Sequence, residues 1–72
     1  MQMRQTVQRL ISRKKVRELI SLSLAQIDRL EKAGLFPLRV RLTDHPRGRC
    51  AYVEDEVFDW MTKRAARRQQ PR

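Results

Sequence analysis

The feature that most limits what this chain can fold into is a helix-start device written twice, eleven residues apart. In the first copy Ile11-Ser12 leads to Val16; in the second Leu22-Ser23 leads to Ile27. Each serine is a favoured N-cap, because its hydroxyl accepts from a backbone N–H that the helix leaves orphaned. Each preceding apolar residue is spaced to pack on the fourth helical residue, a hydrophobic staple that fixes how the chain enters the helix. The second copy adds Gln26 three residues after Ser23, which completes a capping box. After the first cap, Val16, Leu19 and Ile20 fall on one helical face and predict a helix over Arg13–Ile20. After the second, Ile27 and Leu30 form the apolar stripe and Gly34 supplies a left-handed terminator, which predicts a helix over residues 24–33. Two short capped helices joined at Ser21-Leu22 are a helix-turn-helix candidate.

Downstream the period changes. Pro37 disfavours helix at Phe36, and residues 38–42 alternate Leu, Arg, Val, Arg, Leu as a half-buried strand does. Residues 43–48 are turn formers and Cys50–Val53 is the returning strand, so the pair predicts a hairpin with a basic tip, a wing. A two-stranded hairpin is marginal alone. It must therefore pack on the helices through Val40, Leu42 and Val53 or Tyr52. Glu54, Asp55 and Glu56 then open a third helix, Val57, Trp60, Met61 and Ala65 give its apolar face, and Lys63, Arg64, Arg67 and Arg68 close it, in agreement with the helix dipole. The expected fold class is mainly α with a small β-hairpin, a winged helix-turn-helix of about three helices and a two-stranded wing. The expected organisation is a flexible basic arm at residues 1–9, the winged domain at 10–62, and a basic helix end and tail at 63–72.

Composition narrows the function. Seventy-two residues hold one small domain, and a domain near this size buries only about 60% of its unfolded surface, a poor scaffold for a water-excluded catalytic pocket. One cysteine forms no internal disulfide. No apolar run reaches the roughly 20 residues of a membrane span, and the first residues lack the apolar core of a signal peptide. The expected location is the cytoplasm, in association with the nucleoid. A formal net charge of +9 favours a polyanionic partner, and the charge is segregated. Residues 1–17 carry six bases and no acid, residues 39–49 four bases against Asp44 alone, and residues 63–72 five bases and no acid, whereas Glu54, Asp55, Glu56 and Asp59 form an acidic block.

In a helix-turn-helix protein the second helix enters the major groove by its N-terminal turn. Winding residues 24–33 turns Ile27 and Leu30 inward and Ala25, Arg29 and Lys32 outward, with Gln26 and Asp28 on the flanks. Gln is suited to adenine and Arg to guanine. Arg13, Lys14 and Lys15 occupy the first turn of the first helix, where the dipole disfavours each cation by roughly 0.3–1 kcal/mol. Retention for phosphate contact accounts for that placement; a solvated patch is the bland alternative. Arg47 and Arg49 flank Gly48 at the wing tip, where arginine can enter a narrow minor groove or grip phosphate. Arg39 and Arg41 on the first wing strand either line the same surface or solubilise it.

Metal and catalytic chemistry are thin. His45 and Cys50, five apart with no partner pair, are a very weak zinc signal. No metal, cofactor or small-molecule substrate is expected, and no nucleophile set or phosphate loop is present. Phe36, Tyr52, Phe58 and Trp60 read mostly as core residues, which disfavours an RNA-binding module built on base stacking.

The stretch from Leu10 to Met61 resembles the AlpA-like family of phage and prophage regulators, which shares a winged-helix, MerR-like architecture with many small excisionases. Leu10-Ile-Ser-Arg-Lys-Lys-Val16 is similar to the family's opening strand and first helix. Leu22-Ser23, Ile27, Arg29 and Leu30 match its L-S-x-x-x-I-x-R-L recognition segment, and Gly34-Leu-Phe-Pro37 its G-x-F-P turn. Arg47-Gly48-Arg49 fits the wing, and Val53-Glu-x-Glu-Val-x-x-Trp60 the final helix. Where the family often has a basic residue after the recognition serine and an aromatic before the arginine, this chain has Leu24 and Asp28. Asp28 either accepts from cytosine N4 or pairs with Lys32 at i+4. The resemblance implies sequence-specific binding of duplex DNA without catalysis. Ser23, Leu24, Ala25, Gln26, Asp28, Arg29 and Lys32 would then line the recognition helix. The expected role is excisionase, acting with an integrase on repeated sites, which small size and high charge suit slightly better; the alternative is a transcriptional regulator. A protein contact is expected at Glu54, Asp55, Glu56 and Asp59, which on one copy would meet the basic arm or tail of another head to tail.

Overall fold

The computed structural model of the chain describes residues 8–68. Its elements run β1 (Leu10–Ser12), α1 (Arg13–Ile20), α2 (Leu24–Lys32), β2 (Val40–Arg41), β3 (Cys50–Val53) and α3 (Glu54–Ala66). Three helices pack on one small antiparallel sheet of order β1-β3-β2, which is the winged helix-turn-helix plan. Residues 1–7 of the expected arm and 69–72 of the expected tail lie outside the described residues.

Both helix-start devices form. Ser12 ends β1 and caps α1, its Oγ accepting from the Lys15 backbone N–H at 3.0 Å. Ser23 Oγ accepts from the Gln26 backbone N–H at 3.1 Å, while Gln26 Oε1 accepts from the Ser23 backbone N–H at 3.0 Å. The staple residues Ile11 and Leu22 both pack against the core. Between the helices Ser21 takes φ 60°, the left-handed turn that redirects the chain after α1. α2 gives way at Ala33, one residue earlier than its expected end, and Gly34 at φ 75° lets the Leu35 N–H reach back to the Leu30 carbonyl at 2.8 Å. This is a Schellman closure, and a side chain at Gly34 would be strained by the backbone alone.

The core is Val16, Ile27, Phe36, Tyr52 and Val57, one residue from each helix plus one each from the turn and β3. Phe36 sits edge-on between Tyr52, at 5.5 Å, and Trp60, at 4.9 Å. The Trp60 indole N–H donates to the Leu35 carbonyl at 2.8 Å, so the turn after α2 is fastened to α3.

Three expectations need correction. The wing is part of a three-stranded sheet: β1 pairs with β3 through Leu10↔Val53, Ile11↔Tyr52 and Ser12↔Ala51. A three-residue strand is too short to show a period, and only the family resemblance pointed to it. The strand expected at residues 38–42 shrinks to Val40–Arg41, paired with Ala51 and Cys50, and Leu42 is 49% exposed, so it does not pack the wing down. Tyr52 and Val53, both buried, do that instead. Phe58 is 42% exposed and is not a core residue, because the α3 face that reaches the core runs through Val57, Trp60 and Met61.

Candidate nucleic-acid interface

The flanks of α2 are spoken for by internal contacts. Gln26 keeps its side-chain oxygen in the capping box, which leaves only its NH2 group free. Bidentate reading of adenine needs both the oxygen and the nitrogen, so the geometry required of Gln26 is half consumed. Asp28 Oδ1 accepts from Arg13 Nη2 and from Arg39 Nη2, each at 2.5 Å. Of the two readings of Asp28, the pairing with Lys32 is replaced by pairing with two arginines. α1 and the segment entering β2 converge on that flank of α2 and bring guanidinia to it, while Lys32 stays exposed.

One turn further, Glu31 is buried to 8% exposure. Its carboxylate accepts from the Tyr52 hydroxyl at 2.7 Å, and from Arg39 through the backbone N–H at 2.8 Å and the guanidinium Nη2 at 2.7 Å. Burial alone would push the Glu31 carboxyl up, but the hydrogen bonds from Arg39 and Tyr52 outweigh it and hold the group below its ordinary value. The same network raises Arg39, chiefly through the bond to Glu31, so that guanidinium stays charged. Burial and then the bond to Glu31 push Tyr52 up to about 12. Arg13, Asp28, Arg39, Glu31 and Tyr52 thus form one connected set that ties α1, α2 and the wing together. Arg13 and Arg39, expected on the polyanion-facing surface, are half-buried members of this set.

Sequence reasoning passed over Glu31. A signal was present, since position 31 is four residues after Ile27 and continues the inward stripe of α2. A carboxylate there must find a buried partner. Its partners Arg39 and Tyr52, 8 and 21 residues away, have no local signature.

The charged groups left exposed on α2 and on the first turn of α1 are cationic. Arg29 and Lys32, with Ala25 and Leu24, occupy the open face of α2 beyond the capped Ser23; Lys14 and Lys15 are exposed on the first turn of α1. Arg41, Arg47 and Arg49 are exposed on the wing. The wing tip is a built turn. His45 Nδ1 accepts from the Arg47 backbone N–H at 3.0 Å, and the Gly48 N–H bonds the His45 carbonyl at 2.8 Å. A Cβ on Gly48 would lie 1.7 Å from Thr43 Oγ1, so any other residue between the two arginines would force Thr43 to move. The acidic block heads α3. Asp55, Glu56 and Asp59 are exposed, Glu54 faces Arg9 at 3.5 Å, and Asp59 faces Lys63 at 3.1 Å.

Among the described residues no group of three His, Cys, Asp or Glu is positioned to hold a metal ion. None of the described helices is long and apolar enough to cross a membrane.

A family model described as prophage CP4-57 regulatory protein (AlpA) matches residues 9–65, from the residue before β1 to the last turn of α3. No curated protein and no solved structure matches the chain at a significant level. The matched span takes in every element of the fold but for the last residue of α3, with both capped helices and the basic wing, and the chain therefore belongs to the AlpA family of phage regulatory DNA-binding proteins.

Proposed function

We propose that the protein binds specific sites in duplex DNA, with α2 in the major groove and the wing on the minor groove or backbone. In this reading it acts as an excisionase, a recombination directionality factor that works with an integrase. The observation that carries DNA reading is the division of charge around α2. Its acids Asp28 and Glu31 are turned into internal ion pairs, while Arg29 and Lys32 stay exposed on its open face. Arg29 is the side chain suited to read guanine by its bidentate fork. Lys14 and Lys15 on one side and Arg41, Arg47 and Arg49 on the other supply phosphate contacts. Asp28 serves to hold Arg13 and Arg39 beside the groove rather than to read a base.

Cations on both flanks of the recognition helix suit a protein that grips the duplex across two grooves and bends it, the architectural task of an excisionase. A transcriptional regulator using the same surface is the second reading, favoured by the family's description as regulatory. Footprinting on the DNA around its own gene separates them. Several phased sites beside an attachment site support the excisionase, and one operator overlapping a promoter supports the regulator.

A further inference from the structure

Four polar side chains at the start and along one flank of α2 are engaged within the chain. Ser23 and Gln26 hold each other in the capping box, and the Ser23 hydroxyl also donates to Gln26 Oε1 at 3.2 Å. Asp28 holds Arg13 and Arg39, and Glu31 is buried against Arg39 and Tyr52. The Gln26 NH2 group remains, and Gln26 lies on the flank that meets α3. A lone donor does not tell adenine, guanine and thymine apart, because each offers an acceptor in the major groove.

What the N-terminal turn of α2 presents instead is apolar. Leu24 is 38% exposed and Ala25 is exposed. Leu22 and Leu30, on either side in the chain, pack against the core, whereas Leu24 does not join them. Helical winding puts Ala25 on one face with Arg29 and Lys32, and Leu24 beside it towards Asp28. It is the N-terminal turn of such a helix that meets base edges. In unmodified duplex DNA the apolar group displayed in the major groove is the 5-methyl of thymine. We propose that Leu24 is a specificity-determining residue that selects thymine by packing on this methyl group. Ala25, with its short side chain, lets the helix approach closely enough for that contact. The inference rests on the DNA reading of α2 and adds a second base to it. Arg29 follows Ala25 by one turn, about 5.4 Å along the helix, against about 3.4 Å per base pair. The thymine therefore lies within about two base pairs of the guanine taken by Arg29.

The test starts from the site that the wild-type chain selects from a random, unmodified duplex pool. The Arg29 guanine is the one whose preference is lost in Arg29→Ala. Each thymine of the site is then replaced singly by deoxyuridine, which pairs identically and lacks only the 5-methyl group. Affinity is read by fluorescence anisotropy at fixed salt. The expected result is a thymine within about two base pairs of that guanine at which deoxyuridine weakens binding about fourfold, the size for one methyl group taken out of water. Deoxyuridine elsewhere in the site leaves binding unchanged. In Leu24→Ala, at an exposed position, thymine and deoxyuridine bind alike there; in Leu24→Met, which keeps the apolar reach, the difference returns. The methyl group is removed from the DNA, so the first readout does not depend on how a variant folds. A site with no thymine in that range, deoxyuridine without effect across the site, or a difference that Leu24→Ala keeps would each overturn the proposal and leave the DNA reading of α2 standing. A chain that selects no site would overturn the DNA reading itself, and this inference with it.

Discussion

Glu31 and Arg39 are joined through both backbone and side chain: one buried carboxylate takes the Arg39 backbone N–H at 2.8 Å and its guanidinium Nη2 at 2.7 Å. The pair fixes the segment entering the wing to the last turns of α2, and the Tyr52 hydroxyl adds β3 by donating to the same carboxylate at 2.7 Å. One carboxylate therefore ties α2 to both the segment entering the wing and β3.

Removing its charge while keeping its shape should loosen that junction. Glu31→Gln leaves Arg39 with Asp28 as its remaining counter-ion, and breaking a buried pair costs about 3–5 kcal/mol. Arg39 is 31% exposed, so solvent recovers part of that, and about 2 kcal/mol is expected. For a domain of this size the thermal midpoint should fall by roughly 8–16 °C, read by circular dichroism. A midpoint unchanged within a degree would remove Glu31 from this role.

The pH profile follows from the same network. The Glu31 carboxyl is held below its ordinary value, so its contribution to stability is present above the unfolded carboxylate value, about 4.3. It is lost as pH falls through the folded value. Tyr52 is raised to about 12, so its contribution is present below the unfolded value near 10 and fades as pH climbs through about 12. Thermal midpoints between pH 2.5 and 7 should show an acid limb that Glu31→Gln flattens. An equally steep limb in the variant would assign acid unfolding to other carboxylates.

Lys14 and Lys15 are exposed, whereas Arg13 is engaged by Asp28, so the phosphate contribution of α1 rests on the two lysines. Replacing both with Gln should flatten the slope of log K against log salt by about 1.8, at about 0.9 per phosphate contact. Affinity should fall almost equally for specific and unrelated duplexes. A slope that does not move would return these lysines to the solvated surface.

Much of the fold was legible because it is written locally. The two staple-and-cap devices place α1 and the start of α2, Gly34 marks the turn after α2, and the acids at residues 54–56 mark the start of α3. Features that depend on partners far along the chain were not legible. β1 is three residues of the pattern exposed, half-buried, exposed, and exists only because β3 lies beside it. Phe58 reads as core by residue type, yet the helix turns it outward. In the site, the open face carrying Arg29 and Lys32 followed from helical winding. The capture of Asp28 by Arg13 and Arg39, 15 and 11 residues away, did not, because nothing local distinguishes a base-reading aspartate from a paired one.

The central claim is that the open face of α2 reads DNA sequence through Arg29. Site selection from a random duplex pool, run in parallel for the wild-type chain, Arg29→Ala and Asp28→Asn, tests it most directly. The expected result is a defined wild-type site in which Arg29→Ala loses preference for a guanine at one position, a loss of about 1–3 kcal/mol. Asp28→Asn is expected to select the same bases with lower overall affinity. An unaltered site for Arg29→Ala, or a base preference that changes with Asp28→Asn, would contradict it.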